Sequence, residues 1–179
     1  PIQPRIFGPY EPIRRDYPIE EYLADCRPEG IAEAVYVQAN WAPARALDEV
    51  RFVAESARRA AFPIGIVAYA DMLAQDIRPQ LDALSAEPSV RGVRMQLHWH
   101  ENPLYRFAQV HDLARDPILQ RNVARLADYG WSFGLQVFAG QMAGAADLAM
   151  ACPGVTFVLQ HSGMLEDLSP EVIASWREG

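Results

Sequence analysis

Short apolar runs rich in Val, Ile, Phe and Tyr alternate along the chain with longer stretches in which apolar positions recur at helical spacing. The short runs predict strands at Ile31–Val37, Ile64–Tyr69, Val90–Leu97, Ser132–Phe138 and Val155–Gln160. Between them the spacing predicts helices over Pro43–Ala60, Asp76–Glu87, Pro117–Tyr129 and Gln141–Ala151, with another opening at Ser169 and Pro170. Pro43, Pro117 and Pro170 suit a first helical turn, where a missing amide proton costs nothing, and Asp116 and Ser169 are placed to cap. Strand-then-helix alternation implies parallel strands joined by right-handed crossovers.

Two α/β architectures accept that pattern, an open doubly wound sheet and a (β/α)8 barrel. A doubly wound nucleotide binder carries a Gly-rich turn after an early strand, and this sequence has neither G-x-G-x-x-G nor a P-loop. Polar and aromatic residues instead close each strand: Gln38, Asn40 and Trp41; Tyr69 and Asp71; Gln96, His98 and His100; Gln136; Gln160 and His161. Polar residues at the carboxyl ends of many strands are the habit of a barrel. A barrel needs eight strands and about 250 residues. Five strands in 179 residues, opening on Pro1 without an initiator Met, therefore predict an internal piece of a longer protein. Residues 1–179 are expected to form one partial TIM-barrel domain.

With half its residues apolar, the chain can bury one sizeable core. No apolar run approaches the roughly 20 residues of a membrane span, and no signal pattern opens the chain, so a cytoplasmic protein is expected. The net charge of −7 argues against a nucleic-acid partner. All 16 basic residues are Arg, which removes Schiff-base lysine chemistry from this segment. Cys26 and Cys152 sit in no Cys-x-x-Cys pattern and read as reduced structural thiols.

The stretch VRGVRMQLHWHEN raises the question of a metal site, because residues two apart on an extended chain share a face, placing His98 and His100 together. Two ligands alone seldom make a closed site. A loop contact, a hydrogen bond to Glu101, or substrate contact with Trp99 as a flat face are the competing readings. Arg94 shares strand parity with Gln96 and His98. An inward guanidinium needs a partner, either a substrate carboxylate or lactone oxygen or an internal acid such as Asp71. Gln38, Asn40, Trp41 and Tyr69 can line a pocket or simply cap and pack. Glu166 and Asp167 read as a solvated approach to the last helix.

The segments AVYVQANW (Ala34–Trp41), VRGVRMQLHWHENPLYRFA (Val90–Ala108), ADYGWSFGLQVFAGQM (Ala127–Met142) and TFVLQHSGMLEDLS (Thr156–Ser169) resemble the amidohydrolase-related family of TIM-barrel hydrolases, in its lactonase-like branch. The resemblance implies that the chain spans about strands two to six. The family's own His-x-His ends strand one, so it would lie upstream of Pro1, and His98 and His100 are not that pair. His161 falls on the strand-six His of the family. Gln136 falls where many metal-dependent relatives place a strand-five His. A carboxamide there is a poor zinc ligand. No cofactor is fixed by these residues; one divalent metal, zinc, stays open for the complete protein, with His161 a ligand and the others missing from this chain.

What the resemblance implies is a hydrolase that opens a cyclic ester, a sugar or aromatic-catabolite lactone bearing carboxylate or hydroxyl groups, by water attack on the carbonyl. His161 and Arg94 are the expected catalytic residues. Gln136, Gln96, His98, His100, Trp41 and Tyr69 are expected to contact substrate. A metal-dependent decarboxylase or hydratase on the same scaffold and a non-catalytic binding protein remain the alternatives, and assembly into a homo-oligomer is left open. The segment alone is expected to be inactive.

Overall fold

The computed structural model describes residues 8–179. Five strands form one wholly parallel sheet whose spatial order follows the chain: β1 (Ala34–Val37), β2 (Ile64–Ala68), β3 (Val90–Arg94), β4 (Ser132–Leu135) and β5 (Phe157–Leu159). The sheet curls as a half-barrel, an incomplete (β/α)8 barrel as the alternation predicts. Helix α1 (Ile19–Cys26) precedes β1, and α2 (Ala46–Ala60), α3 (Arg78–Ser85), α4 (Pro117–Ala124) and α5 (Met142–Ala151) make the crossovers. Helix α6 (Pro170–Glu178) follows β5.

Alternation along the strands separates two faces. Ile66, Ala68, Val93, Phe133 and Leu135 are buried in one core with Val50 and Val53 of α2, Leu81 and Leu84 of α3, Leu119 and Val123 of α4, and Leu148 of α5. On the other face, Arg94 stands opposite Gly134, which stands opposite Val158. A Cβ on Gly134 would lie 3.1 Å from the Arg94 Cβ and 3.2 Å from its Cγ, so the missing side chain makes room for the arginine stem. Among the described residues β1 and β5 are the sheet edges. Apolar side chains there face solvent, with Val35 at 66% and Val158 at 47% exposure.

The elements match the sequence expectation in kind and order and differ at their ends. β3 closes at Arg94 rather than Leu97, yet the Leu97 amide still donates to the Gln136 carbonyl at 3.1 Å, so the chain follows the sheet beyond its ladder. The expected helix Pro117–Tyr129 is α4 followed by a 3-10 turn over Arg125–Tyr129, closed by Gly130 at φ 65°. The expected helix from Pro43 likewise opens with a 3-10 turn over Pro43–Arg45. Asp116 caps α4 by accepting from the Ile118 and Leu119 amides, and Ser169 caps α6 by accepting from Val172. Helix α1 is an addition; its eight residues bury only Leu23 and Cys26, too short an apolar stripe to stand out in the sequence. Cys26 and Cys152 are buried free thiols. Among the described residues no helix is long and apolar enough to cross a membrane.

Candidate active site

Arg94, the last residue of β3, reaches across the carboxyl rim of the sheet. Its Nη2 donates to the Gln38 carbonyl at 2.5 Å, and its Nη1 donates to Gln160 Oε1 at 3.3 Å and Gln136 Oε1 at 3.5 Å. Every one of these acceptors is neutral. The internal ion pair with Asp71 does not form, because the Asp71 carboxylate caps the Leu73 amide at 3.1 Å. Burial lowers the Arg94 pKa, while Glu49 and Tyr36 pull it back up. The Arg94 Nε–H is buried and has no hydrogen-bond partner among the described residues. A buried donor left unmade costs about 1–3 kcal/mol, so this atom asks for an acceptor.

A chain of carboxamides runs along the rim from Gln38, whose main-chain carbonyl the arginine holds. Gln38 Nε2 donates to Gln96 Oε1 at 3.3 Å, and Gln96 Nε2 donates to Asn40 Oδ1 at 2.5 Å. Beyond Asn40 opens a cleft of about 390 Å³, lined among others by Trp41, Tyr69, Asp71, Gln96 and Phe107. Tyr69 is half-buried, and burial followed by Asp71 raises its phenol pKa, so it stays a hydroxyl. Trp41 carries the Arg45 guanidinium 5.5 Å from its ring centroid and tilts against Phe52.

The two histidines of the His-x-His pair part company. His98 is buried between Phe107 and Phe138, with ring centroids 4.8 and 5.6 Å away. Burial first, then the charges of Arg94 and His161, holds its pKa down at about 4, so the ring is neutral near neutral pH. Its Nδ1 is buried without a hydrogen-bond partner among the described residues. His100 has both nitrogens engaged. Nδ1 accepts from the Asn102 amide at 2.8 Å, which places the proton on Nε2, 3.0 Å from Glu166 Oε2. The acid paired with His100 is therefore Glu166 rather than Glu101, and Glu166 is not a merely solvated acid. Trp99 offers no open face either, since Arg106 lies 5.1 Å over its ring and His111 packs 5.3 Å away.

His161 follows β5 directly, as the sequence predicts, in a turn of unusual backbone. His161, Ser162, Gly163 and Met164 all have positive φ, at 51°, 52°, 83° and 46°. Left-handed non-glycine residues cost about 1–3 kcal/mol each and persist where neighbours hold them. Trp176 of α6 holds this turn by donating its indole N–H to the Ser162 carbonyl at 2.6 Å. The His161 side chain is exposed at the rim, and no hydrogen bond among the described residues engages it.

Of the buried polar residues that escape a sequence reading, Gln141 and Glu49 hold the loops of this rim. Gln141 spends all four hydrogen-bonding positions on backbone: Oε1 accepts from Trp99 and Phe138, and Nε2 donates to the Leu97 and His111 carbonyls. Glu49 of α2 accepts from the Tyr36 hydroxyl at 2.8 Å and the Ala39 amide at 2.6 Å. Gln141 pins the loop after β3, and Glu49 pins the end of β1. Both occupy positions that the helical spacing assigns to packing, and their polarity is the signal.

The described residues do not fit a metal ion by themselves. Among them no three His, Cys, Asp or Glu side chains converge. Gln136, which the family resemblance sets at a strand-five ligand position, accepts from the Arg94 guanidinium, whose charge opposes a cation. His161 is the one imidazole at this rim that is exposed and unbonded.

A family model for amidohydrolases matches residues 1–179. The chain belongs to the amidohydrolase family. An uncharacterised protein, y4mH, of Sinorhizobium fredii (strain NBRC 101917 / NGR234) is 30% identical over 177 residues, 99% of this chain and 59% of that relative. An amidohydrolase from Burkholderia multivorans, solved with bound zinc, superposes with a TM-score of 0.73 at 25% identity, covering 93% of this chain and 55% of that one. A probable 2-pyrone-4,6-dicarboxylic acid hydrolase from Acinetobacter baumannii, solved with citric acid, gives a TM-score of 0.62 at 13% identity over 93% and 60% of the two chains, a likeness of fold. This amidohydrolase chain thus spans between half and two thirds of the relatives it matches.

Proposed function

We propose that this amidohydrolase chain supplies half the active site of a hydrolase that opens a cyclic ester. The observation that carries the reading is Arg94: a half-buried guanidinium with neutral acceptors only and a buried, unpartnered Nε–H, at the same rim as the unbonded His161. A carbonyl or carboxylate oxygen of a bound ester would complete its coordination. Water adds to the ester carbon, the carbonyl oxygen takes the negative charge, and collapse breaks the ring C–O bond. The ring oxygen leaves with a proton as the hydroxyl of a hydroxy acid. Arg94 and His161 stabilise the charge that develops on the carbonyl oxygen, and Gln136, Gln96 and Gln160 fix the ring.

The test is a lactone screen on the complete protein, with mass-spectrometric metal analysis of the same samples. His161→Asn should cut kcat by about 100-fold with the fold intact. Arg94→Lys should lower kcat more than it raises KM, because an ammonium cannot copy the two-pronged contact with the developing oxyanion. Loss of a bound metal in His161→Asn would assign His161 as a ligand. Full activity in both variants would sink the reading.

A further inference from the structure

The cleft beyond Asn40 has a chemistry opposite to that of Arg94. Asp71 is the one charged residue among those lining it, and the charge is negative. Its Oδ1 is used by the Leu73 amide, and no hydrogen bond among the described residues engages its Oδ2. Asn40 Oδ1 is already taken by Gln96, which leaves the Asn40 N–H2 as donor. The Tyr69 hydroxyl has no hydrogen bond among the described residues and can both give and accept. The free groups are therefore an anionic acceptor, an amide donor and a hydroxyl.

We propose that this cleft is a carboxylate-excluding subsite that takes the uncharged, hydroxyl-bearing end of the substrate ring, with Asp71 as the residue that decides. The proposal rests on the cyclic-ester reading of the neighbouring Arg94 and His161. Ring hydroxyls suit all three free groups, because a hydroxyl can donate to Asp71 and can accept from Asn40 and from Tyr69. A carboxylate would satisfy only the donors and would face Asp71 with no cation inside the cleft to offset the repulsion. The Arg45 guanidinium over Trp41 is already paired with Asp48 at 3.0 Å. Tyr69 and Phe107 add aromatic walls whose negative faces suit the C–H groups of a saturated ring. A volume of about 390 Å³ lies in the range of small-ligand sites, roughly 300–1,000 Å³. Arg94 on the Gln38 main-chain carbonyl and Asp71 in the cleft lie on either side of the Gln38–Gln96–Asn40 carboxamides, so a ring spanning them would turn its carbonyl toward the cation and its hydroxyls toward Asp71.

The experiment compares galactonolactone, a pyrone carboxylate and unsubstituted butyrolactone on the complete protein and its Asp71→Asn variant. Asparagine retains an oxygen to cap Leu73, and a thermal melt checks the fold. The expected result is a preference for galactonolactone, with Asp71→Asn raising its KM by about tenfold at little change in kcat and raising kcat/KM for the pyrone carboxylate about threefold or more. Equal effects on all three lactones, or a preference for the carboxylate in the unmodified protein, would overturn the subsite while leaving lactone opening intact. If no lactone is opened, the cyclic-ester reading fails, and saturation-transfer NMR with unreactive anhydroglucitol and isophthalate decides the cleft separately. Anhydroglucitol binding that Asp71→Asn and Tyr69→Phe each weaken supports it; no anhydroglucitol binding, or isophthalate binding lost in Tyr69→Phe, overturns it.

Discussion

His100 Nε2 lies 3.0 Å from Glu166 Oε2, so the loop after β3 is tied to the loop after β5 across the rim of the half-barrel. Both side chains are about a quarter exposed, at 26% and 28%, and a pair so placed adds little to global stability. Its effect is local. Glu166→Ala should change the unfolding free energy by less than about 1 kcal/mol while speeding limited proteolysis between Trp99 and Phe107. Unchanged cleavage of that loop would show that Gln141 alone holds it.

Gln141 should matter far more. Gln141→Ala strips partners from the buried Phe138 amide and Leu97 carbonyl and from the partly buried Trp99 amide and His111 carbonyl, and each group left unpaired in the interior costs about 1–3 kcal/mol. A loss of about 3 kcal/mol or more in denaturant unfolding of the complete protein is expected. Gln141→Glu should be no better, since it removes both donors and buries a charge.

The pH dependence follows from His98. Its folded pKa of about 4 lies below the ordinary 6.5, so between those values the unfolded chain binds the extra proton. Stability is then fully present above about pH 6.5 and is lost as the pH falls toward 4, by about 3 kcal/mol across the window. Denaturation curves from pH 7.5 down to 4.5 should display this slope, and His98→Gln should flatten it. An identical slope in the variant would assign the titration elsewhere.

Gly134→Ala separates site from scaffold. The new methyl would press on the Arg94 stem at 3.1–3.2 Å, tighter than ordinary contact, and push the guanidinium off Gln136 and Gln160. Turnover of the complete protein should fall by about tenfold or more, in line with a displaced positioning group, while the melting temperature moves by only a few degrees. A large loss of stability with normal turnover would refute this account.

Among the described residues the sheet has two open parallel edges with exposed Val35, Val158 and Leu159, and the chain expressed alone should carry them into solution. Such edges template pairing with other chains. Light scattering should reveal association that grows with protein concentration; a cooperatively unfolding monomer would contradict it.

The fold was legible because burial and period coincide. Ile66, Val93 and Phe133 are apolar for the reason that makes them strand residues, since each is fully buried beneath a helix. Strand ends were less legible, because the chain beyond Arg94 stays extended and apolar in pattern while its ladder stops. Of the candidate site, Arg94 was legible from strand parity, and His161 from its place after a strand together with the family resemblance. The partners of Arg94 are 42, 56 and 66 residues distant in the chain, and no local pattern encodes such pairings. His98 and His100 looked equivalent in sequence, but the bend after β3 buries one ring and hands the other to Glu166.

The coincidence of strand order with chain order bears on synthesis. As the polypeptide emerges, each strand can dock on the one before it, so the apolar layer grows by short-range steps. Arg94 waits 42 residues for Gln136 and 66 for Gln160. Until β5 arrives its guanidinium lacks the Gln160 acceptor, and water can stand in for it. The scaffold can therefore fold without help from the polar rim, and substitutions at Gln136 or Gln160 should leave folding rates nearly unchanged even where they abolish function.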